Sequence, residues 1–357
     1  MKIIQNGMNY SIYDEGLVVK DQLPVGTYTV EFSKSSGFFL RKLEDVKIKE
    51  NKIYGNIPLK VKKILKSFNL TNKNLGVIAS GDKGMGKSLF ANLLAIEGSK
   101  NNLPLIMVTK YYENLSPFLE SINQEIIVLF DEFEKNFDCD YNDNDSNQQN
   151  ELLGLFDGTS MGKKLFVITA NDVGKISDYL INRTGRFHYH LRFEYPTCQE
   201  IKEYLNDKVL EDYKNEIEEV LSLSNYINLN YDMLRSIVFE LNQGEKFKDF
   251  IGDLNIINRK NNTDYSIVVQ LENGETLTSS DWIGIIETHA KNGKEYSMGN
   301  TKLGQYYAKI KLLSIKNTRD GLMVDDYYLE DEDNNKLDAK DVRIVKDVTY
   351  NNYSFIF

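Results

Sequence analysis

The pattern of apolar and polar positions changes along the chain and predicts several distinct segments. Residues 1–56 contain short alternating runs such as "GLVVKDQLPVGTYTVEF", and this alternation predicts a small domain of antiparallel strands. Residues 57–195 contain four short apolar runs, "NLGVIAS", "LPLIMVT", "EIIVLFDE" and "KLFVITAND", separated by helical segments. Continuous apolar runs are typical of strands covered on both faces, so we expect a parallel α/β sheet here.

The second half of the chain shows two further patterns of apolar and polar residues. Residues 196–260 have helical spacing, as in "CQEIKEYLNDKVLEDYKNEIEEVLSL", and predict a helical subdomain. Residues 261–357 return to alternation and contain turn pairs such as Asn273-Gly274, which predicts a second small β domain. The predicted fold class is therefore an α/β domain with a helical subdomain, flanked by two small β domains.

A glycine-rich stretch, "GDKGMGKS" at residues 81–88, carries the first chemical signal. It fits the P-loop pattern, it comes directly after the apolar run "LGVIA", and it continues into "LFANLLAIEG", which has helical character. Glycines let backbone N–H groups surround phosphate oxygens, so Lys87 is expected to contact the β and γ phosphates and Ser88 to ligate Mg²⁺. The predicted ATP-binding residues of this loop are Gly81, Asp82, Lys83, Gly84, Met85, Gly86, Lys87, Ser88 and Leu89.

An acidic pair at the end of the run "EIIVLFDE" supplies the second signal. Asp131 is predicted to hold the Mg²⁺ shell through water, and Glu132 to polarise the attacking water. Transfer of a γ-phosphoryl group requires mainly positioning and charge stabilisation, and these two side chains provide both. The P-loop and the acidic pair together predict a Mg²⁺-dependent ATP phosphohydrolase.

In order and content these motifs resemble those of the AAA+ ATPases, and more narrowly the AAA branch of that family. The branch elements stand here as "LLGLFDG" at 152–158 and "NRTGRF" at 182–187, and the resemblance covers roughly residues 57–260. It implies a P-loop NTPase sheet with a helical lid, and a ring, usually a hexamer, with ATP between neighbouring subunits. By the same likeness Asn171 is the sensor that orients the lytic water, and Arg183 and Arg186 are fingers that reach a neighbour's γ-phosphate.

Other positions leave alternatives open. Arg235 stands where many AAA+ lids carry a second sensor arginine, although the AAA branch usually lacks one, so it is either a nucleotide-binding sensor or an ordinary lid residue. Tyr111 and Tyr112 come after the second strand, where ring motors often carry aromatic residues that grip a polypeptide. The familiar aromatic-hydrophobic-glycine order is missing here, and packing on the rim of the domain is the alternative.

Charge favours a protein as the partner of the predicted ring. The chain has a formal net charge of −10, and residues 262–357 carry 11 Lys and Arg against 16 Asp and Glu, which opposes charge-driven nucleic-acid binding. We therefore expect hydrolysis to drive remodelling or translocation of a partner protein of unknown identity. The alternatives are a nucleic-acid ring motor or loader and a nucleotide-gated structural assembly.

The location of the protein is predicted from what the sequence lacks. We find no signal peptide, no apolar run long enough to cross a bilayer and only two cysteines, so a cytoplasmic location is expected. The abundance of Asn, Lys, Ile and Tyr is typical of AT-rich genes and hints at a phage origin, in which case the location would be the host cytoplasm.

Overall fold

The chain forms two compact units, residues Met1–Glu194 and Tyr195–Phe357. The computed structural model describes residues 2–6, 8–13, 16–48, 50, 52–137, 148–158, 162–181, 185–224, 227–256, 265–272, 274–278, 296–303, 306–318, 321–331, 336 and 338–346. In these ranges no helix has the length and apolar character needed to span a membrane.

The first unit contains a two-stranded hairpin, a large sheet and the helices that cover it. Its strands are β1 (Lys2–Asn6), β2 (Asn9–Tyr13), β3 (Thr27–Ser33), β4 (Gly37–Lys42), β5 (Leu75–Ser80), β6 (Leu105–Val108), β7 (Ile126–Phe130), β8 (Lys164–Ala170) and β9 (Tyr189–Arg192). Its helices are α1 (Ile57–Leu70), α2 (Lys87–Lys100), α3 (Leu115–Glu120), α4 (Phe133–Asn136), α5 (Gln148–Glu151), α6 (Leu153–Asp157) and α7 (Asp178–Ile181).

The large sheet is mostly parallel, with the strand order β4-β3-β6-β7-β8-β5-β9. Strands β5, β7 and β8 are buried along their whole length, because helices on both faces shield them from water. This explains why the corresponding sequence runs are continuously apolar, and it confirms the predicted α/β fold class.

The N-terminal strands differ from the sequence-based expectation. The alternation in residues 1–56 predicts a small β domain of its own, and among the strands that the structure describes β1 and β2 do pair only with each other. Strand β3, however, pairs in parallel with β6 and antiparallel with β4, so both β3 and β4 extend the central sheet. Tyr28 and Val30 of β3 are buried in the core of that sheet. An alternating pattern predicts a strand but does not identify the strand with which it pairs.

The second unit combines short helices with an antiparallel sheet. Its helices are α8 (Cys198–Lys208), α9 (Ile217–Ser224), α10 (Tyr231–Asn242) and α11 (Phe247–Phe250). Its sheet has the order β11-β10-β15-β14-β13-β12, with β10 (Tyr265–Leu271), β11 (Thr276–Thr278), β12 (Tyr296–Leu303), β13 (Tyr306–Thr318), β14 (Gly321–Asp331) and β15 (Ala339–Lys346). Helix α8 begins at a capping box in which Thr197 and Glu200 satisfy each other's backbone N–H groups.

A glycine near the start of β5 allows close contact with the segment after α7. A Cβ atom at Gly76 would lie 2.2 Å from the carbonyl oxygen of Arg186 and 2.7 Å from the ring of Phe187. Backbone atoms cannot yield as a flexible side chain can, so this position requires glycine. The contact holds residues 186 and 187 against the strand that leads into the glycine-rich loop.

We therefore expect Gly76→Ala to destabilise the first unit by about 2 kcal/mol or more, as overpacking in a close-packed core does. Gly154→Ala on α6 is the matched control, because a Cβ atom there would meet nothing within 4 Å. The control should shift the free energy of unfolding by less than about 1 kcal/mol. Denaturant unfolding of the two variants measures the difference, and equal midpoints would contradict the prediction.

Candidate nucleotide-binding site

The glycine-rich loop joins the end of β5 to the start of α2. Gly81, Gly84 and Gly86 have φ angles of +148°, +78° and +93°, which residues other than glycine rarely adopt. A Cβ atom at Gly81 would also lie 2.3 Å from the carbonyl oxygen of Phe193. Helix α2 begins at Lys87 without a side-chain cap, so its first N–H groups are available to an anion.

Lys87 lies within the loop and its side chain is almost entirely buried. Its ammonium group donates to the carbonyl oxygens of Gly81 at 2.6 Å and Asp82 at 2.7 Å. Burial lowers the pKa of Lys87, and the carboxylates of Glu134, Asp82 and other nearby acids oppose that lowering. A buried cation beside open backbone N–H groups is a donor set that fits a chain of phosphates.

The predicted acidic pair lies at the carboxyl end of β7 and is held there by Thr169 of the neighbouring strand β8. The Thr169 hydroxyl donates to Asp131 Oδ1 at 2.6 Å and accepts from the backbone N–H of Glu132 at 2.9 Å. Glu132 has a φ of +45°. This left-handed conformation costs energy for a residue other than glycine, and residues strained in this way cluster at functional sites. Thr169 thus fixes both acids. The sequence did not reveal these contacts, because the only signal of Thr169 is its place in "TAND", two residues before Asn171.

The Glu132 carboxylate forms an ion pair with Lys135, with 2.5 Å between Oε1 and Nζ. The hydrogen bond from Lys135 lowers the pKa of Glu132, although burial acts in the opposite direction. Glu132 is therefore ionised near neutral pH and carries a negative charge at the carboxyl end of β7. Both side chains are more than 40% exposed, so the pair is weakly stabilising and can open.

Asn171, the predicted sensor, lies directly after the end of β8. Its backbone N–H and its side-chain Nδ2 both donate to Glu134 Oε1, at 3.0 and 2.9 Å. Strands β5, β7 and β8 are parallel neighbours, so the P-loop, the acidic pair and Asn171 all lie at the carboxyl edge of the sheet. The backbone N–H of Gly81 also bonds to the Ala170 carbonyl at 3.2 Å. The structure thus brings these predicted residues together.

Of the two predicted arginine fingers, Arg183 lies outside the described residues. Arg186 is only 6% exposed, and its guanidinium forms a bidentate pair with Asp157, with one contact from the terminal nitrogen at 2.6 Å and a second through Nε. It also donates to the Tyr179 carbonyl at 2.9 Å. The expectation that Arg186 reaches into a neighbour's site therefore needs correction, because its donors are engaged within its own chain.

Arg235 belongs to the second unit and lies on α10. Its side chain is 62% exposed and forms an ion pair with Asp232 at 3.2 Å, one turn earlier on the helix. An exposed pair of this kind contributes little to stability. Its predicted role as a nucleotide sensor stays a prediction.

The two tyrosines that are candidates for gripping a polypeptide pack within the first unit. The Tyr112 ring lies 6.1 Å from Phe32 and 5.9 Å from Phe38, measured between ring centroids. The Tyr111 ring packs edge-on against Phe137, and its hydroxyl donates to Glu151. Both side chains are half-buried. Packing on the rim of the domain, the alternative hypothesis, accounts for these contacts.

The residues of the site fit a magnesium ion shared with a nucleotide. The part of the chain that the structure describes contains no cluster of three His, Cys, Asp or Glu that could hold a metal alone. Mg²⁺ is usually bound through one or two protein oxygens, together with phosphate oxygens and water. The exposed hydroxyl of Ser88 at the start of α2 and the carboxylate of Asp131 supply protein oxygens of that kind.

Comparison with known proteins agrees with the geometry of this edge. Residues 77–195 match the family model described as ATPase family associated with various cellular activities (AAA). The matched segment runs from β5 to the end of the first unit and includes the P-loop, the acidic pair and Asn171. No match was found among curated proteins. The chain thus carries an AAA domain, and the enzymatic activity of that domain is ATP hydrolysis.

The contacts of Thr169 predict a specific kinetic effect. Thr169→Val keeps the shape of the side chain but leaves the Glu132 N–H without its acceptor and releases Asp131. An unmade buried hydrogen bond costs about 1–3 kcal/mol, so kcat should fall about 10- to 100-fold. Thr169→Ser retains the hydroxyl and should hydrolyse ATP nearly as the parent does. Steady-state ATPase assays test this, and a Val variant as fast as the Ser variant would contradict it.

Proposed function

We propose that this chain, an ATPase with an AAA domain, assembles into a ring, usually a hexamer in this family, and uses Mg²⁺-dependent hydrolysis to remodel or translocate a partner protein. The observation that carries the chemistry is the common edge at which the P-loop, Asp131 with Glu132, and Asn171 meet. The ring and the partner are supported by the family resemblance and by the charge of the chain.

Each residue of this edge has a proposed role in hydrolysis. Lys87 and the N–H groups at the start of α2 bind the β and γ phosphates, while Ser88 and Asp131 hold Mg²⁺. When bound, Mg²⁺ neutralises charge on the phosphate oxygens. The ionised carboxylate of Glu132 polarises the attacking water, and Asn171 orients it. The reaction needs little covalent chemistry from the protein, so positioning of these groups supplies most of the catalysis.

A further cation is needed where charge builds up on the transferred phosphoryl group. A guanidinium suits this role because it is always ionised and planar. Since Arg186 is bound to Asp157 in its own chain, we assign the finger to Arg183 of a neighbouring subunit. Arg186 then serves to hold the segment that carries Arg183.

A protein partner is favoured by the net charge of −10, which opposes general attraction to nucleic acid. A specific observation favours the second candidate, a nucleic-acid motor or loader. Helix α1 has the sequence IPLKVKKILKSFNL, which contains four lysines and no acidic residue, and Lys62, Lys63 and Lys66 are exposed. The two candidates predict different responses to salt. A cytoplasmic location and a phage origin stay predictions.

Mixing of inactive subunits tests the shared site. Arg183→Ala should bind ATP but hydrolyse it poorly, and Lys87→Ala should fail to bind it. In mixed rings a P-loop from the first variant meets a finger from the second, so activity should partly recover. Recovery is possible only if Arg183 acts across the subunit interface. Mixed rings without any recovery at any ratio would contradict the assignment.

Arg186→Ala is the control variant for Arg183→Ala. It leaves Asp157 without its partner and should lower the unfolding temperature, since the substitution removes the bidentate, charge-assisted hydrogen bonds of a buried guanidinium. Arg183→Ala, which leaves the Arg186–Asp157 pair in place, should lower the unfolding temperature less than Arg186→Ala does. Thermal unfolding with and without ATP analogue measures the difference between the two arginines.

The partner class can be tested with Glu132→Gln, which should bind ATP and retain its partner without hydrolysis. We expect this variant to recover a defined protein from native cells, and the parent's ATPase rate to rise with that protein. Single-stranded or duplex DNA should not change the rate at physiological salt. A several-fold stimulation by DNA that disappears as salt rises would favour the nucleic-acid candidate instead, because such salt dependence marks phosphate contacts.

A further inference from the structure

We propose that Glu134 is a positioning residue of the ATPase reaction, and that its carboxylate fixes the side-chain amide of Asn171 in the orientation needed by the lytic water. Glu134 lies on α4, two residues after Glu132, and it belongs to none of the predicted site residues. The inference rests on the proposed function of this site and assigns a task to a residue beyond the acidic pair.

Two hydrogen bonds to Glu134 orient Asn171. Its backbone N–H and its side-chain Nδ2 converge on a single oxygen, Glu134 Oε1, at 3.0 and 2.9 Å. An ionised carboxylate only accepts hydrogen bonds, so the NH₂ of the amide must face Glu134. A flipped amide would bring two oxygens together. The Asn171 Oδ1 is thereby left as an acceptor, which is the group required to orient a water molecule.

Glu134 is also linked electrostatically to the phosphate loop. Among the charged groups that oppose the lowering of the Lys87 pKa by burial, Glu134 acts most strongly. Asn171 in turn helps to lower the pKa of Glu132 through a hydrogen bond. The amide of Asn171 is therefore coupled to both glutamates.

The two oxygens of the Glu134 carboxylate have different surroundings, because Oε1 accepts both hydrogen bonds from Asn171. Oε2 is buried and has no hydrogen-bond partner within the described ranges. Buried carboxylate oxygens normally have one, because an unmet acceptor is costly. Glu132 differs in both respects, since its carboxylate is 42% exposed and is paired with Lys135. The two glutamates are therefore suited to different tasks, one facing water and the other holding the sensor.

A double-mutant cycle tests whether Glu134 acts through Asn171. Glu134→Ala should lower kcat about tenfold or more, as loss of an orienting outer contact does, while the Kd of a fluorescent ATP analogue stays within about twofold. Asn171→Ala should lower kcat at least as far. The double variant should have the same kcat as Asn171→Ala alone, because Glu134 then has no Asn171 amide to orient. Glu97→Ala, an acid on the outer part of α2, should behave as the parent.

Glu134→Gln guards against a folding artefact and separates hydrogen bonding from charge. Its amide oxygen can still accept from Asn171, so it should restore most of the parent's kcat. A Gln variant as slow as the Ala variant would assign the effect to the charge on Lys87 and overturn the proposal. The proposal would also be overturned if the losses of kcat in the two single variants multiplied in the double variant, because independent residues behave in that way. Either result would overturn the role of Glu134 but not the proposed ATPase function. If the parent protein did not hydrolyse ATP at all, both the proposed function and the role of Glu134 would be wrong.

Discussion

The register of three parallel strands determines where the chemistry of this protein can occur. Ser80 of β5 is level with Ala170 of β8, and Phe130 of β7 is level with Ile168 of the same strand. The three strands therefore end close to one another, and the segments that leave them meet at a single edge. The positions of the phosphate loop, the acidic pair and Asn171 depend on this register, since a shift of one residue would also turn buried side chains towards the opposite face.

Buried polar contacts convert that common edge into an ordered site. Thr169 joins β8 to the acidic pair on β7, and Glu134 joins α4 to Asn171. Helix α4 is itself held by aromatic packing, because Phe133 lies 5.9 Å from Phe130 and 4.8 Å from Phe137. These apolar contacts anchor α4, and the Glu134 carboxylate of the same helix lies within hydrogen-bond distance of Asn171.

A second set of contacts ties the outer segments to the same sheet. Arg186 holds Asp157 at the end of α6 and the backbone near α7, while its own carbonyl lies against β5 because residue 76 is glycine. Asp157 and Arg186 belong to the two elements that suggested the AAA branch, "LLGLFDG" and "NRTGRF", and they bind each other within one chain. A substitution at Asp157 or Arg186 is therefore expected to disturb β5, the strand that leads into the phosphate loop.

The sequence by itself determined the features that depend on local chemistry. Fully buried strands must be continuously apolar, and a loop with φ angles that only glycine tolerates must carry glycines, so β5, β7, β8 and residues 81–88 could be predicted. The tertiary structure decided the features that depend on neighbours distant in sequence. It placed β3 in the central sheet, paired Arg186 with Asp157, packed Tyr112 on Phe38, and brought Thr169 and Glu134 into the site. The reason is physical: an alternating strand or a polar side chain can satisfy its hydrogen bonds with many partners, and only the folded chain selects one.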